Sequence, residues 1–266
     1  MNKISMIIIT TIAVIILSFV LISGCTSATP GKKDAKIIFL DAIKKSKSVT
    51  SSEASYDATI NAGGIALNLK TDSWRKESIT RADISGSLMG VPLVARYYNI
   101  QAGAFTCIKT NDAWECQEGS EGEVPGMTGP MSLEGEDETA LLDMISKGII
   151  VISLDTTEST IADRKCDNVD IIINATKFSG VTGESELMRT IEEMKNSNVS
   201  ELSLIQCLDQ ATGSPLYFKM SMNEAAATSI GAGEQEVSFE LTATKYSPNP
   251  SISDEIFTLP AEVKSE

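Results

Sequence analysis

Apolar residues recur at every second position along much of this chain. They alternate with polar residues from Tyr56 to Ile60, and again from Ile65 to Leu69 after the pair Gly63-Gly64. Successive side chains of a strand point to opposite faces, so this period gives each strand one apolar and one polar face. The two runs and the glycines between them predict a β-hairpin.

Further extended segments follow, separated by turn signals such as Gly86, Gly90 and Asn111-Asp112. The predicted strands are residues 73–81, 91–100, 103–110, 113–117, 148–154, 159–164, 168–173, 201–208, 216–222 and 236–245. Helical spacing of apolar residues predicts helices over 34–47, with Asp34 as N-cap, over 138–147 and over 183–196. The fold class is therefore α+β, a long antiparallel meander with a few helices against one face.

The N-terminus carries an export signal. An apolar run from Met6 to Ile22 follows Lys3 and ends in the sequence Leu21-Ile22-Ser23-Gly24-Cys25. That ending resembles the lipobox of secreted lipoproteins, in which the cysteine is lipidated and becomes the mature N-terminus. We expect a signal peptide over 1–24, lipidation of Cys25, a tether over 25–33 and one domain over 34–266.

An uncleaved transmembrane anchor is the alternative, because the apolar run lies near the lower limit for spanning a bilayer. Lys32, Lys33 and Lys36 follow the run, whereas only Lys3 precedes it. The positive-inside bias would draw that later cluster inward, which opposes an anchor with the domain outside.

Four cysteines remain beside Cys25 and allow three pairings. A two-residue turn at Asn111-Asp112 sets Thr110 opposite Ala113 and, counting outward, Cys107 opposite Cys116 at a non-hydrogen-bonded position. This count predicts the disulfides Cys107–Cys116 and Cys166–Cys207. Both are interpreted as structural, because no C-x-x-C spacing suggests a redox or metal site.

Composition excludes several classes of function. The 22 Lys and Arg against 36 Asp and Glu give a net charge of −14, which disfavours nucleic acid as a partner. The chain has no histidine, so His-dependent triads and His-containing metal sites are excluded. The carboxylates Glu134, Glu136, Asp137 and Glu138 are interpreted as a solvated charge run rather than a catalytic pair or a calcium loop. We expect no enzyme activity, no cofactor and no metal.

Two sets of side chains are candidates for other sites. A ligand could be lined by apolar residues of the long 118–137 loop and of the following helix: Met127, Met131, Leu141, Leu142, Met144 and Ile145. Packing in the core against the sheet is the alternative, and the commoner use, for this set; Trp74 and Trp114 are interpreted as packing in the core of the sheet rather than stacking on a ligand. The sequons at Asn174 and Asn198 permit glycosylation, at a number expected by chance.

The order of elements resembles the LolA/LppX/RseB-like superfamily of lipoprotein-carrier and lipid-binding domains. The likeness spans residues 34–262 and rests on four stretches: the strand 56–60 after an N-terminal helix, the strand 74–81, the turn 208–216 of the form Asp-x-x-Thr-Gly-x-Pro, and the ending 256–260 of the form Phe-x-x-Pro. It implies an incomplete β-barrel, a long curved sheet whose concave face is covered by helices.

The resemblance implies a noncatalytic binding or carrier module for a lipid or another hydrophobic ligand, anchored by lipid at the extracytoplasmic face of the cell membrane. The net charge favours a neutral or cationic amphiphile. An anchored protein-interaction or sensory scaffold with no small-molecule ligand is the alternative, because one fold supports many functions. The sequence identifies no protein partner.

Overall fold

The computed structural model describes residues 34–62, 65–88, 90–110, 113–119, 138–178, 191–192, 194–196, 199–222 and 237–260. Its helices and strands are α1 (Ala35–Ser46), β1 (Ser51–Ala62), β2 (Ile65–Lys76), β3 (Ile79–Leu88), β4 (Val91–Ile100), β5 (Gly103–Thr110), β6 (Ala113–Gly119), α2 (Glu138–Ser146), β7 (Ile150–Ile161), β8 (Arg164–Asn174), β9 (Glu201–Asp209), β10 (Pro215–Met222) and β11 (Val237–Pro248). Short 3₁₀ turns form at Ala175–Lys177 and Asp254–Phe257.

All the described strands belong to one antiparallel sheet of 11 strands, in the order β6-β5-β4-β3-β2-β1-β11-β10-β9-β8-β7. The sheet is open, with β6 and β7 at its two ends. Strand β1 pairs with β11, so the first and last strands of the domain meet in the middle of the sheet. The α+β class and the open antiparallel sheet predicted from the sequence are confirmed.

Two strands are longer than their patterns suggested. Strand β2 runs without a break to Lys76 and turns at Glu77, where the sequence analysis placed a separate strand over 73–81. Strand β7 likewise unites the predicted segments 148–154 and 159–164, with a register shift between Asp155 and Glu158. The turns that follow β2 and β7 are formed by residues other than glycine. The sequence pattern therefore gave no glycine signal for their positions.

Helix α1 begins as its sequence requires. Asp34 is the N-cap, and its Oδ1 accepts a hydrogen bond from the backbone N–H of Lys36 at 2.8 Å. Lys44 and Lys45 lie in the last turn, where positive charge interacts favourably with the helix dipole. The helix buries one side, formed by Phe39, Leu40, Ala42 and Ile43.

The main hydrophobic core lies between the helices and one face of the sheet. Helix α1 contacts β7, β8 and β9, and α2 contacts β7. Phe39 of α1 and Met144 of α2 belong to the same buried cluster as Ile171, Leu204 and Phe218 of the strands. The helices therefore pack on the half of the sheet formed by β7 to β11. Burial of each such large apolar side chain stabilises the fold by about 1.5–3 kcal/mol.

Candidate ligand-binding face

The same face of the sheet continues beyond the helix-covered half, onto strands β1 to β5. Residues directly opposite each other on paired strands lie on the same face of the sheet. Ile60 lies opposite Leu67, and Ala95 lies opposite both Ile84 and Ile108. Residues two apart on a strand share a face, which adds Leu69 and Leu93. We call this surface the apolar face and define it by Ile60, Leu67, Leu69, Ile84, Leu93 and Ile108.

The apolar face is continuous with the core and partly accessible to solvent. Ile60 and Leu69 pack against the main core cluster. Five of its residues are half-buried, and Ile108 is 46% exposed. A contiguous apolar surface that is neither closed nor fully solvated is the kind of surface on which hydrophobic ligands bind.

One end of the apolar face carries a buried tyrosine. Tyr97 lies on β4 directly opposite Ala82 of β3 and Thr106 of β5, and diagonally next to Ile84 and Ile108. Tyr97 is 2% exposed and forms a small buried cluster with Ala82 and Ala104. Desolvation by burial raises the pKa of the Tyr97 hydroxyl, so the group is a neutral hydrogen-bond donor.

Part of the opposite face of β2 to β5 is covered by the C-terminal segment. Leu259 packs against a buried cluster that contains Tyr98, Phe105 and the Cys107–Cys116 disulfide. The guanidinium of Arg81 donates a hydrogen bond of 2.9 Å to the backbone carbonyl of Ile256. The Phe-x-x-Pro ending noted in the sequence therefore closes this part of the face, since Phe257 is buried as well.

Arginine and aromatic side chains alternate on that covered face. The Arg81 guanidinium carbon lies 5.3 Å from the ring centre of Trp74 and 5.6 Å from that of Tyr98. Arg96 lies over Trp114 at 4.3 Å. Both tryptophans thus stack with arginines of the protein itself, and both arginines bond Asp83. The interpretation of Trp74 and Trp114 as packing residues agrees with this arrangement.

The turn between β9 and β10 is held by one carboxylate. Asp209 is buried, accepts two hydrogen bonds from Arg164 at 3.1 and 2.8 Å, and accepts another from the backbone N–H of Thr212 at 2.9 Å. Burial alone would raise the pKa of Asp209, but the bonds from Arg164 and Thr212 outweigh it and hold the pKa below its usual value. This explains the Asp-x-x-Thr-Gly-x-Pro pattern as a structural turn.

A cavity of about 330 Å³ lies beside this turn, under helix α1. Its charged lining is already paired: Lys45 bonds Asp41 at 2.7 Å and the backbone carbonyl of Gln210 at 2.8 Å, and Gln210 donates to Asp167. A polar cavity of this kind does not suit a hydrocarbon chain. The apolar face is the better candidate site.

Four of the six ligand-lining residues predicted from the sequence belong to the described residues. Met144 and Ile145 are buried in the core cluster, and Leu142 is half-buried. Leu141 lies in α2, whereas Met127 and Met131 are outside the described residues, as is the lipidation site Cys25. A ligand-binding role for this set stays a prediction.

Of the two sequon asparagines, one belongs to the described residues. Asn174 is half-buried, and its Oδ1 accepts a hydrogen bond from the backbone N–H of Thr176 at 3.1 Å, as the N-cap of a 3₁₀ turn. Asn198 is outside the described residues. Glycosylation at both positions stays a prediction.

Both disulfides form as predicted. Cys107 lies opposite Cys116 and Thr110 opposite Ala113, with 3.9 Å between the two cysteine α-carbons. The second disulfide joins Cys166 of β8 to Cys207 of β9, with 5.3 Å between their α-carbons. It is buried with Leu216 and Ala243, so it is part of the packing between neighbouring strands.

Sequence reasoning missed the apolar face and Tyr97. The alternation along β4 was visible, because Leu93, Ala95 and Tyr97 share one parity. The sequence does not give the order of the strands in the sheet. In that order β1 lies next to β11, and the helices pack on β7 to β11 rather than on β2 to β5.

The fold is thus an open antiparallel sheet with helices on part of one face and an apolar surface beside them. Comparisons with protein-family profiles and with curated proteins found no match. Solved structures of similar fold include MucB (14% identity, TM-score 0.46, 88% of this chain and 66% of that one), the Mycobacterium tuberculosis lipoprotein LppX (13%, 0.42, 80% and 97%) and LprF from Mycobacterium bovis (9%, 0.41, 82% and 94%). This chain spans just under two thirds of the length of MucB.

Within the described residues, two further kinds of feature are absent. Across those ranges, no helix has the length and apolar character needed to span a bilayer. Nor do those residues include a cluster of three or more cysteine and carboxylate side chains that could hold a metal ion.

Proposed function

We propose that this protein is a lipid-anchored, noncatalytic binding module for a lipid or another hydrophobic ligand. The observation that carries the proposal is the apolar face, which joins the core at Ile60 and Leu69 and is still partly exposed at Ile108. Open apolar surface next to a core costs free energy in water, and a hydrocarbon chain lying on it removes that cost.

The ligand is a neutral or cationic amphiphile. A net charge of −14 disfavours a strongly anionic head group at the protein surface. Binding is then dominated by the hydrocarbon, at about 0.8 kcal/mol for each methylene removed from water. We therefore expect affinity to rise with chain length and to change little with salt.

The test is a pair of substitutions on the two faces of neighbouring strands. Ile108→Lys puts a charge on the apolar face, and Val94→Lys puts one on the opposite face, where Val94 is 38% exposed. Binding of a fluorescent fatty-acyl probe to the full-length protein, held in amphipol, should weaken at least fivefold in Ile108→Lys, because burying an unpaired ammonium is costly. Val94→Lys should bind as the wild type does.

Two outcomes contradict the proposal. Absence of probe binding to the wild type would favour a scaffold that recognises a protein. Equal weakening by both substitutions would show that the probe does not lie on the apolar face.

The membrane anchor is a separate part of the proposal and rests on the sequence before Thr26. Lipidation of Cys25 would hold the domain at the extracytoplasmic face of the membrane, and two acyl chains would make the attachment stable. Cys25→Ser should abolish both acylation and processing, which the intact mass of the variant would show. An intact mass of the wild-type protein that begins at Met1 would contradict the signal peptide over 1–24.

A further inference from the structure

The hydroxyl of Tyr97 is buried and has no hydrogen-bond partner among the residues that the structure describes. A buried hydroxyl normally finds a partner, because its bond to water is lost on folding. An unpaired donor at the end of the apolar face therefore indicates a hydrogen-bond partner outside the described residues.

Several of the side chains around Tyr97 are small. The residue directly opposite on β3 is Ala82, and Ala104 belongs to the same buried cluster. On the same face, Ile84 and Ile108 lie diagonally from Tyr97 and begin the apolar face.

The adjacent residue gives an internal comparison. Tyr98 is also buried with an unpartnered hydroxyl among the described residues, but it points to the opposite face of the sheet. There it is packed with Phe105 and the Cys107–Cys116 disulfide and lies under Arg81. The C-terminal segment covers the cluster around Tyr98 on that opposite face, so a ligand on the apolar face cannot reach it.

We propose that the Tyr97 hydroxyl donates a hydrogen bond to an ester or alcohol oxygen of the bound amphiphile, and so fixes the polar end of a ligand whose hydrocarbon lies along the apolar face. This inference rests on the proposed function and specifies its ligand class as a neutral, oxygen-bearing lipid. Because burial raises the pKa of Tyr97, the hydroxyl keeps its proton at physiological pH and remains a donor.

The test compares two probes with chains of twelve carbon atoms and two matched variants. The probes are 1-monolauroylglycerol, which carries ester and hydroxyl oxygens, and dodecane, which carries none. Each displaces a fluorescent acyl probe from the full-length protein in amphipol. Tyr97→Phe should weaken 1-monolauroylglycerol about fivefold, the effect of one lost neutral hydrogen bond, and should leave dodecane within twofold of the wild type.

Tyr98→Phe is the control, because it removes the same buried hydroxyl from the other face. It should change neither affinity. Both variants should fold, since each removes an unpaired polar atom and keeps the ring. Thermal unfolding of the two variants checks this point.

The outcomes separate this inference from the proposed function. If both probes bind the wild type and Tyr97→Phe weakens both equally or neither, the hydrogen bond is refuted while hydrophobic binding stands. An equal effect of Tyr98→Phe on 1-monolauroylglycerol would refute it too. If neither probe binds the wild type, the proposed function and this inference fail together.

Discussion

Gly213 packs directly on the backbone of Ala42, with no room for a side chain between them. Gly213 belongs to the turn after β9, where its backbone N–H donates to the Asp209 carbonyl at 2.8 Å, and Ala42 lies on the buried side of α1. The glycine has a φ of +71°, in the left-handed region that other residues adopt at a cost. This contact joins helix α1 to the turn between β9 and β10, which lies at the same end of the sheet as the start of β1.

Gly213→Ala should destabilise the domain by about 3 kcal/mol or more, because it adds both backbone strain and an overlap with the Ala42 carbonyl. Gly90→Ala is the control: Gly90 also has a positive φ, +81°, but a Cβ there would meet no atom within 4 Å. It should cost only about 1–2 kcal/mol. Urea unfolding of the two variants measures the difference, and equal losses would show that the contact with α1 is not tight.

Asp209→Asn should destabilise the domain by about 3 kcal/mol at neutral pH, because Arg164 then loses the carboxylate that it bonds in a buried place. Asp143→Asn is the control, since Asp143 pairs with Lys147 at the surface and its loss should cost less than about 1 kcal/mol. Chemical unfolding at pH 7 compares them. Equal effects would contradict the structural role of the buried pair.

The same carboxylate predicts a pH dependence with a definite sign. The folded pKa of Asp209 lies below its ordinary value of 3.8. The ionised carboxylate therefore stabilises the folded state fully above that ordinary pKa, and the contribution is lost as the pH falls through the lower folded pKa. The stability difference between wild type and Asp209→Asn should be constant from about pH 5 to 8 and shrink below about pH 4. A difference that persists unchanged at pH 2 would contradict the lowered pKa.

Some parts of this fold could be predicted from the sequence because local rules determine them. The Cys107–Cys116 pair followed from a two-residue turn at Asn111-Asp112, since a hairpin of fixed loop length has a fixed register. The N-cap at Asp34 followed from the preference of helix ends for a side-chain acceptor. In both cases the information lies within ten or so residues of chain.

Other parts could not be predicted, because the residues do not show their conformation. The turns at Glu77 and at Ala162-Asp163 use positive φ angles of 54°, 49° and 60° without a glycine to mark them. The candidate site depends on contacts that are distant in sequence: alternation shows that β2 to β5 have an apolar side, but not that α1 and α2 cover other strands. From the sequence alone, Tyr97 therefore could not be distinguished from the other residues of its strand.

The two disulfides should differ in their contribution to stability. They close loops with sequence separations of 9 and 41 residues. In the chain-entropy account these loops are worth roughly 2.7 and 4 kcal/mol. Replacing Cys166 and Cys207 by serine should therefore lower the free energy of unfolding by about 1 kcal/mol more than replacing Cys107 and Cys116. Calorimetry of both double variants ranks them, and the reverse order would show that native packing, not loop length, decides the difference.

Arg81 should hold the C-terminal segment on the sheet. Its guanidinium donates to the Ile256 carbonyl and pairs with Asp83, whose hydrogen bond raises the pKa of Arg81 and keeps it charged. Arg81→Ala leaves that carbonyl without its charged donor. Because such a bond contributes about 1.5–3 kcal/mol, the segment should open at least tenfold more often.

Chymotrypsin detects this opening, since Phe257 is buried in the closed segment and becomes a cleavage site when the segment lifts. Cleavage after Phe257 should be at least tenfold faster in Arg81→Ala than in the wild type. Lys76→Ala is the control, because Lys76 pairs with Asp254 of the same segment, whose side chain is 82% exposed, and such surface pairs contribute little. Its cleavage rate should stay within about threefold of the wild type, the change expected for a pair worth less than about 0.7 kcal/mol. If Lys76→Ala accelerates cleavage as much as Arg81→Ala, the segment is held by its surface charges and not by the arginine beneath it.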